Sequence, residues 1–204
     1  GDEISIIWSN QVDESASIDA MFQEYQISTS LDQPTEVHSI DMDGDGDLDI
    51  LTSSSTDYQV AWYENNGNQN FTQYVISNTI GIGGAVKAVD IDMDGDMDVL
   101  TNGYNGSRVT LFKNDGNQNF TEIYINGSGL GGSDITFADV NGDGHLDIIS
   151  SKYSRWITWH ENDGNENFTN HNGILGAPSN VGVNQIYPKD IDGDGDIDIL
   201  AAFS

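Results

Sequence analysis

Short runs of alternating apolar and polar residues recur along this chain, each time in the same company. Val37–Ile40, Val86–Val89, Ile135–Ala138 and Ile186–Lys189 each lead into an acidic loop containing glycine. A second run leaves each loop, as Ile50–Thr52, Val99–Thr101, Ile148–Ser150 and Ile199–Ala201. A third follows as Val60–Tyr63, Val109–Phe112 and Ile157–His160, and ends in the turns ENNGNQN, KNDGNQN and ENDGNEN. The fourth opens at Phe71, Phe120 and Phe168, each followed by threonine. Side chains alternate between faces along a strand, so runs of this length predict strands. Helical periodicity is absent from every window, and Asn-Gly, Asp-Gly and Gly-Gly punctuate the chain. The expected fold class is all-β.

The loops carry the chemistry. They read DMDGDGDLDI from Asp41, DIDMDGDMDV from Asp90, DVNGDGHLDI from Asp139 and DIDGDGDIDI from Asp190, a period of about fifty residues that marks a repeat architecture. Carboxylates this close repel one another unless a cation lies between them. Calcium takes six to eight oxygens, and alternate residues of a tight loop can turn their carboxylates inward to supply them. The candidate ligands are Asp41, Asp43, Asp45, Asp47 and Asp49; Asp90, Asp92, Asp94, Asp96 and Asp98; Asp139, Asn141, Asp143, His145 and Asp147; and Asp190, Asp192, Asp194, Asp196 and Asp198. Asp47, Asp96, His145 and Asp196 are expected to bind through the backbone carbonyl, which makes a histidine harmless at that position. Asn141 is still an oxygen donor. About four Ca2+ ions are therefore expected. Magnesium fits less well, because it keeps several waters and holds to octahedral geometry.

The ends of the chain are out of phase with the repeat in a complementary way. Residues 4–10 align with a third strand and Phe22–Ser28 with a fourth, whereas the chain finishes just after a second strand. Together the ends make one four-stranded unit, which is what a ring needs to close without exposed edges. The aspartate loop and the W/F-x-(E/K)-N-x-G-N-x-N-F-T segment resemble the FG-GAP and VCBS repeats, calcium-loop β-propellers related to the head of integrin α subunits. That resemblance implies a β-propeller, and the three uninterrupted units with the one made by the two ends give it four blades, each of four antiparallel strands. Its boundaries are blade A from 183–204 plus 1–28, blade B 36–77, blade C 85–126 and blade D 134–174. Three departures stand out. Many such propellers have seven blades, the turn Gln11–Ala20 lacks the Asn/Gly signature, and the last strand of blade D is expected to dissolve at His171-Asn172-Gly173. A fragment of a larger propeller, or half of an eight-bladed ring completed by a second chain, is the rival architecture, so monomer and dimer both stay open.

Composition narrows the partners. The formal charge is −28, and more than half of the 34 acidic residues sit in the four loops. Nucleic acid and anionic membrane are poor partners for such a surface, and no apolar run is long enough for membrane insertion as a helix. Without cysteine there is neither disulfide nor thiolate chemistry. Weak calcium loops fill only where calcium is near millimolar, which points to a secreted or cell-surface location.

Calcium of this kind is a fold staple, so a ligand site is expected elsewhere. The residues three before each loop, His38, Lys87, Thr136 and Tyr187, are polar and differ from one another. In a propeller they would ring the central channel. Connections on the face opposite the loops carry Tyr58, Tyr104, Arg108, Lys152, Tyr153, Arg155 and Trp156. Aromatic platforms beside cations suit a glycan, especially an anionic one, or a protein. The expected function is thus a calcium-stabilised extracellular module for binding or display. The alternative is a secreted carbohydrate-active enzyme, a lyase or hydrolase, with His38 and Tyr187 moving a proton. No nucleophile motif supports it, and no catalytic residue is assigned. The sequons at Asn70, Asn119 and Asn167 belong to the repeated turn, and those at Asn105 and Asn126 are equally ambiguous.

Overall fold

The computed structural model describes residues 4–9, 22–28, 31–68, 70–79, 84–103, 108–125, 132–151, 156–176 and 181–203. These residues form sixteen β-strands and no helix. At the start, β1 (Ile4–Ser9) and β2 (Phe22–Ser28) pair antiparallel as a two-stranded sheet. Three four-stranded antiparallel sheets follow, each meandering in sequence order. The first holds β3 (Pro34–Ile40), β4 (Asp49–Ser54), β5 (Val60–Asn65) and β6 (Phe71–Ser77). The second holds β7 (Ala85–Val89), β8 (Asp98–Asn102), β9 (Val109–Asn114) and β10 (Phe120–Ile125). The third holds β11 (Ile135–Ala138), β12 (Asp147–Ser151), β13 (Trp156–Asn162) and β14 (Phe168–Gly176). A last two-stranded sheet pairs β15 (Val183–Lys189) with β16 (Asp198–Phe203).

Apolar residues at fixed repeat positions join each sheet to the next. Val86 of β7 shares a core cluster with Leu51, Val60 and Trp62 of the first sheet. Ile135 of β11 does the same with Leu100, Val109 and Leu111, and Ile186 of β15 with Ile149 and Ile157. Second strands are consequently buried on both faces. Their polar side chains become staples between sheets: Ser53 Oγ donates to Gly84 O at 2.8 Å, and Asn102 Nδ2 to Asp134 O and Ser151 O at 3.2 and 3.0 Å. The approach leaves no room for a side chain at Gly84 or Gly132, where a Cβ would stand 1.9 and 1.8 Å from a backbone carbonyl oxygen.

One expectation holds in part and another is corrected. The terminal pairs stand as two separate two-stranded sheets and are not hydrogen-bonded to each other, so the described sheets number five. Each half takes its position from a different neighbour. Ile4 is buried with Leu31, Ile50, Ala61 and Tyr63 beside the first sheet, with Ile27 half-buried against them, whereas Val183 and Ile186 are buried against the third. The last strand of the third sheet does not dissolve either. β14 runs through His171, Asn172 and Gly173 to Gly176, with a register shift opposite Ile157/Thr158. Gly173 takes φ +70° there, and the Trp156 ring lies over it. A glycine-borne bulge bends a strand without ending it.

One buried carboxylate closes each of the first three aspartate loops onto its sheet. Asp49 is fully buried, and its two oxygens accept the amides of Met42 at 2.9 Å and Asn65 at 2.7 Å. The Asn65 side chain then donates to Leu48 O at 3.1 Å and accepts from Gly67 N at 3.1 Å. Asp98 with Asn114, and Asp147 with Asn162, repeat this clasp. Burial pushes the carboxyls of Asp49, Asp98 and Asp147 up, against the pull of those amides, and takes Asp98 to about 7. A folded-state pKa above the unfolded one means that the folded protein holds more protons between about pH 4 and 7, so stability falls as pH rises through that window. In metal-stripped buffer the urea midpoint should therefore be lower at pH 7.5 than at pH 5, with Asp98→Asn flattening the difference. A midpoint equal or higher at pH 7.5 would contradict this account.

Candidate metal centres and the opposite face

The tight loops between first and second strands gather carboxylates as the sequence requires. In three of them, Asp41, Asp43 and Asp45, Asp90, Asp92 and Asp94, and Asp190, Asp192 and Asp194, ligand oxygens lie within 4.8 Å of one another. The first aspartate shapes the turn: Asp41 Oδ1 accepts from Gly44 N at 2.8 Å and Oδ2 from Gly46 N at 3.0 Å. Gly44 and Gly46 have φ of +77° and +93°, a backbone that L side chains rarely adopt. Asp43 and Asp45 each accept one amide two residues on, at 3.2 and 2.8 Å. The fourth loop repeats this pattern through Asp190, Asp192 and Asp194. In the third, Asn141 replaces the middle carboxylate, and its Nδ2 donates to Asp143 Oδ2 at 2.9 Å and Glu161 Oε1 at 3.2 Å. Three oxygen donors clustered on so short a loop fit a hard divalent cation, and nothing in the set suits a soft one.

The remaining positions of each loop stand apart from the cluster. Asp49, Asp98 and Asp147 are the clasp carboxylates described above. Their counterpart Asp198 accepts from Ile191 N at 3.1 Å but is exposed. The seventh residue turns its side chain onto the neighbouring turn: a Cβ at Gly67, Gly116 or Gly164 would meet Asp47, Asp96 or His145 at 2.4 Å. A side chain used this way need not be acidic, which accounts for His145. The second loop differs from the others in holding a resident cation. Lys113 Nζ sits 2.5 Å from Asp92 and also pairs with Glu166, and the two acids together hold its ammonium above the usual lysine range.

At the other end of the strands the expected residues scatter. Tyr104, Lys152, Tyr153 and Arg155 lie outside the described residues, as do Asn105, Asn126 and Gln11–Ala20. Trp156, at the head of β13, is 39% exposed, and Tyr58 is exposed as well. Arg108 lies 4.9 Å from the centre of the Tyr124 ring. The first strands of all four units converge on one cavity of about 500 Å³. Lys87 lines it, but His38, Thr136 and Tyr187 do not. Glu36 and Asp134 do, and the sequence reading missed both, although each stands five residues before its loop. Burial and the nearby Lys87 charge hold the His38 imidazole low.

One Ser–His–Asn chain emerges that no motif announced. Ser150 Oγ and His160 Nε2 are 2.8 Å apart, and His160 Nδ1 meets Asn170 Oδ1. Ser150 and His160 are only 2% and 1% exposed, between β12 and β13. In the first sheet Tyr63 and Gln73 are bonded across the third and fourth strands, at 3.0 Å, as His160 and Asn170 are in the third sheet. Ser150 and His160 are thus bonded in the interior, with Asn170 half-buried beside them. The sequon amides of Asn119 and Asn167 are likewise engaged, donating to Asp115 and Asp163 within their turns.

Similar proteins agree at the level of fold. A lectin from Agrocybe aegerita, studied for specific recognition of non-reducing terminal N-acetylglucosamine, is similar with a TM-score of 0.58 at 20% identity, over 88% of this chain and 52% of its own. The V. cholerae biofilm matrix protein Bap1 gives a TM-score of 0.50 at 19% identity, over 98% of this chain and 32% of its own. The chain thus spans about half the length of the first and a third of the second. No curated protein matched in a search by sequence. The FG-GAP-like repeat profile matches residues 41–101, 90–150 and 139–201, which together cover most of the chain. On that match, with three repeated sheets and their aspartate loops, the chain belongs to the FG-GAP-like repeat family.

Proposed function

We propose that this chain is a calcium-stabilised extracellular binding or display module, with its ligand face opposite the aspartate loops. The observation that carries the reading is a division of labour along the strands. Carboxylate clusters fill one end, while Arg108, Trp156, Lys87 and a polar cavity gather at the other. Calcium binds Asp41, Asp43 and Asp45 and their counterparts, including Asp139, Asn141 and Asp143, with the Asp47, Asp96, His145 and Asp196 carbonyls beside them. The similarity to a lectin and to a matrix protein supports a glycan or protein ligand and a location outside the cell. A catalytic role finds no support in the buried Ser150–His160 pair. At tenfold excess over its dissociation constant each calcium adds about 1.4 kcal/mol, so four approach roughly 5–6 kcal/mol. Chelation should lower the melting temperature by about 10–20 °C at 2–4 °C per kcal/mol. An unchanged melting curve would sink the calcium assignment.

We also read the ring as closed, with four blades. The support is a repeated contact that is left unmade once. Val86, Ile135 and Ile186 are buried with Leu51, Leu100 and Ile149 of the preceding unit, whereas their counterparts Val37 and Leu200 are 59% and 45% exposed. A groove of about 280 Å³ between β1 and β3, lined by Ile4, Pro34, Val37 and Ile50, has the position that β16 would fill. Seating β16 there would pair it with β1 and cover both residues. Since the chain has no native cysteine, Val37→Cys with Leu200→Cys gives a clean test. Closure predicts an oxidised monomer. A cross-linked dimer would favour a ring shared between chains, and no bridge would leave the array open.

The ligand on the opposite face is a glycan, with anionic glycans the first candidates because the face collects the scarce cations. A glycan array compared between the wild type and Trp156→Ala checks this. At least about tenfold weaker binding by the variant is expected for a lost stacking platform. A silent array, or binding indifferent to Trp156, would count against it.

A further inference from the structure

The cavity where the four first strands converge has charged walls held in place from two directions. Glu36 accepts the Val86 amide at 2.7 Å and the Lys87 ammonium at 2.5 Å, both from the next unit. Asp134 accepts its neighbour Ile135 N at 2.9 Å and Ile186 N, from the next unit, at 2.6 Å. The two acids stand in the first and third units, and the Lys87 charge acts on both, pairing with Glu36 and opposing the rise that burial gives Asp134. Ser133 supplies a hydroxyl, and Asn184 and Gln185 complete the lining from the fourth unit. Carboxylates fixed by backbone amides keep their positions whether or not a ligand is present. That is the preorganisation a binding site needs.

We infer that this axial cavity binds a neutral pyranose, gripping adjacent hydroxyls between the Lys87 ammonium and the Glu36 and Asp134 carboxylates. A hydroxyl donates once and accepts as well, so a vicinal diol can accept from Lys87 while donating to the acids. Lys87 has three donors and spends one on Glu36, and each carboxylate has lone pairs beyond the two bonds it already accepts. The charged lining sums to one negative charge, in a chain of −28, so an anion is repelled there. A bare cation would have to compete with Lys87. Among the described residues no aromatic side chain lines the cavity, so flat apolar ligands find no platform there. Its volume of about 500 Å³ lies within the ~300–1,000 Å³ range of small-molecule sites. The site lies at the same end of the strands as Trp156 but on the axis, so it rests on the binding-module reading while naming a different place and a neutral ligand.

The test is an amide NMR titration of the whole chain with calcium and a set of neutral methyl pyranosides, followed at Ala85, Lys87 and Gln185. Saturable shifts at these amides are expected. Glu36→Gln and Lys87→Met should each weaken binding by at least about tenfold, as for a lost charge-assisted hydrogen bond. Trp156→Ala should leave it unchanged. Melting curves of the variants confirm that each is folded, and Glu36→Gln keeps an acceptor for the Val86 amide. Silence at these amides, or variants that bind like the wild type, overturns the inference. So do shifts produced equally by methylammonium, which would make this a cation site. Trp156-dependent array binding with silent axial amides would overturn the axial site and leave the module reading standing. Axial shifts beside a silent array would uphold the axial site and overturn the Trp156 glycan face.

Discussion

A carboxylate buried at the start of the second strand is the constraint on which three of the four units depend. Asp49, Asp98 and Asp147 are removed from water at the start of a second strand. Two converging amides hold each charge, one from the loop before it and one from the end of the third strand. That geometry fixes where the aspartate loop ends, where the third strand stops and how the following turn begins. An unpaired buried charge is expensive, so the amides cannot drift away from it. The asparagine that supplies the second amide also bonds a loop carbonyl and the turn glycine, which ties three segments far apart in sequence to one point.

Around these clasps the sheets stack by burying one apolar residue of each first strand on the preceding unit. The interior is therefore shared between neighbours, as repeat proteins require. No single sheet could bury Leu51 or Leu100 alone. Because the second strands of the three four-stranded sheets lie inside the stack, Ser53 and Asn102 become cross-links between sheets. The exposed Val37 and Leu200 mark the one junction without such a partner, and they are the physical basis for reading the array as a ring.

Function follows the polarity of the strands. Every first strand enters from one end and delivers its acidic loop at the other, so the carboxylate clusters lie at one end while the strand beginnings line one cavity. The same arrangement that concentrates negative charge for a cation places Arg108 at the opposite end and Lys87 on the cavity. Lys113 and Lys189 stand at the metal end, and Lys113 pairs with Asp92 of the second loop, so the four loops are not equivalent.

Much of this was legible in the residues. Loop spacing, the four strand positions and the phase of the two ends could be read because a strand's alternation and a turn's glycine are local properties. The tolerance of His145 pointed to its side chain's lesser role, although only the structure put that side chain over Gly164. The clasp could have been suspected from the invariant place of Asn65, Asn114 and Asn162 in their turns. Glu36 and Asp134 carried a weaker signal, acids five residues before the loop in two units only. The Ser150–His160–Asn170 chain carried none. The sequence by itself determined the repeat, its all-β character and the clustering of carboxylates, since these depend on neighbours along the chain. Only the tertiary structure decided which residues face the axis, which polar groups are buried and where the terminal strands dock. Those outcomes depend on contacts between units some fifty residues apart, and on which unit's apolar surface each terminal pair buries.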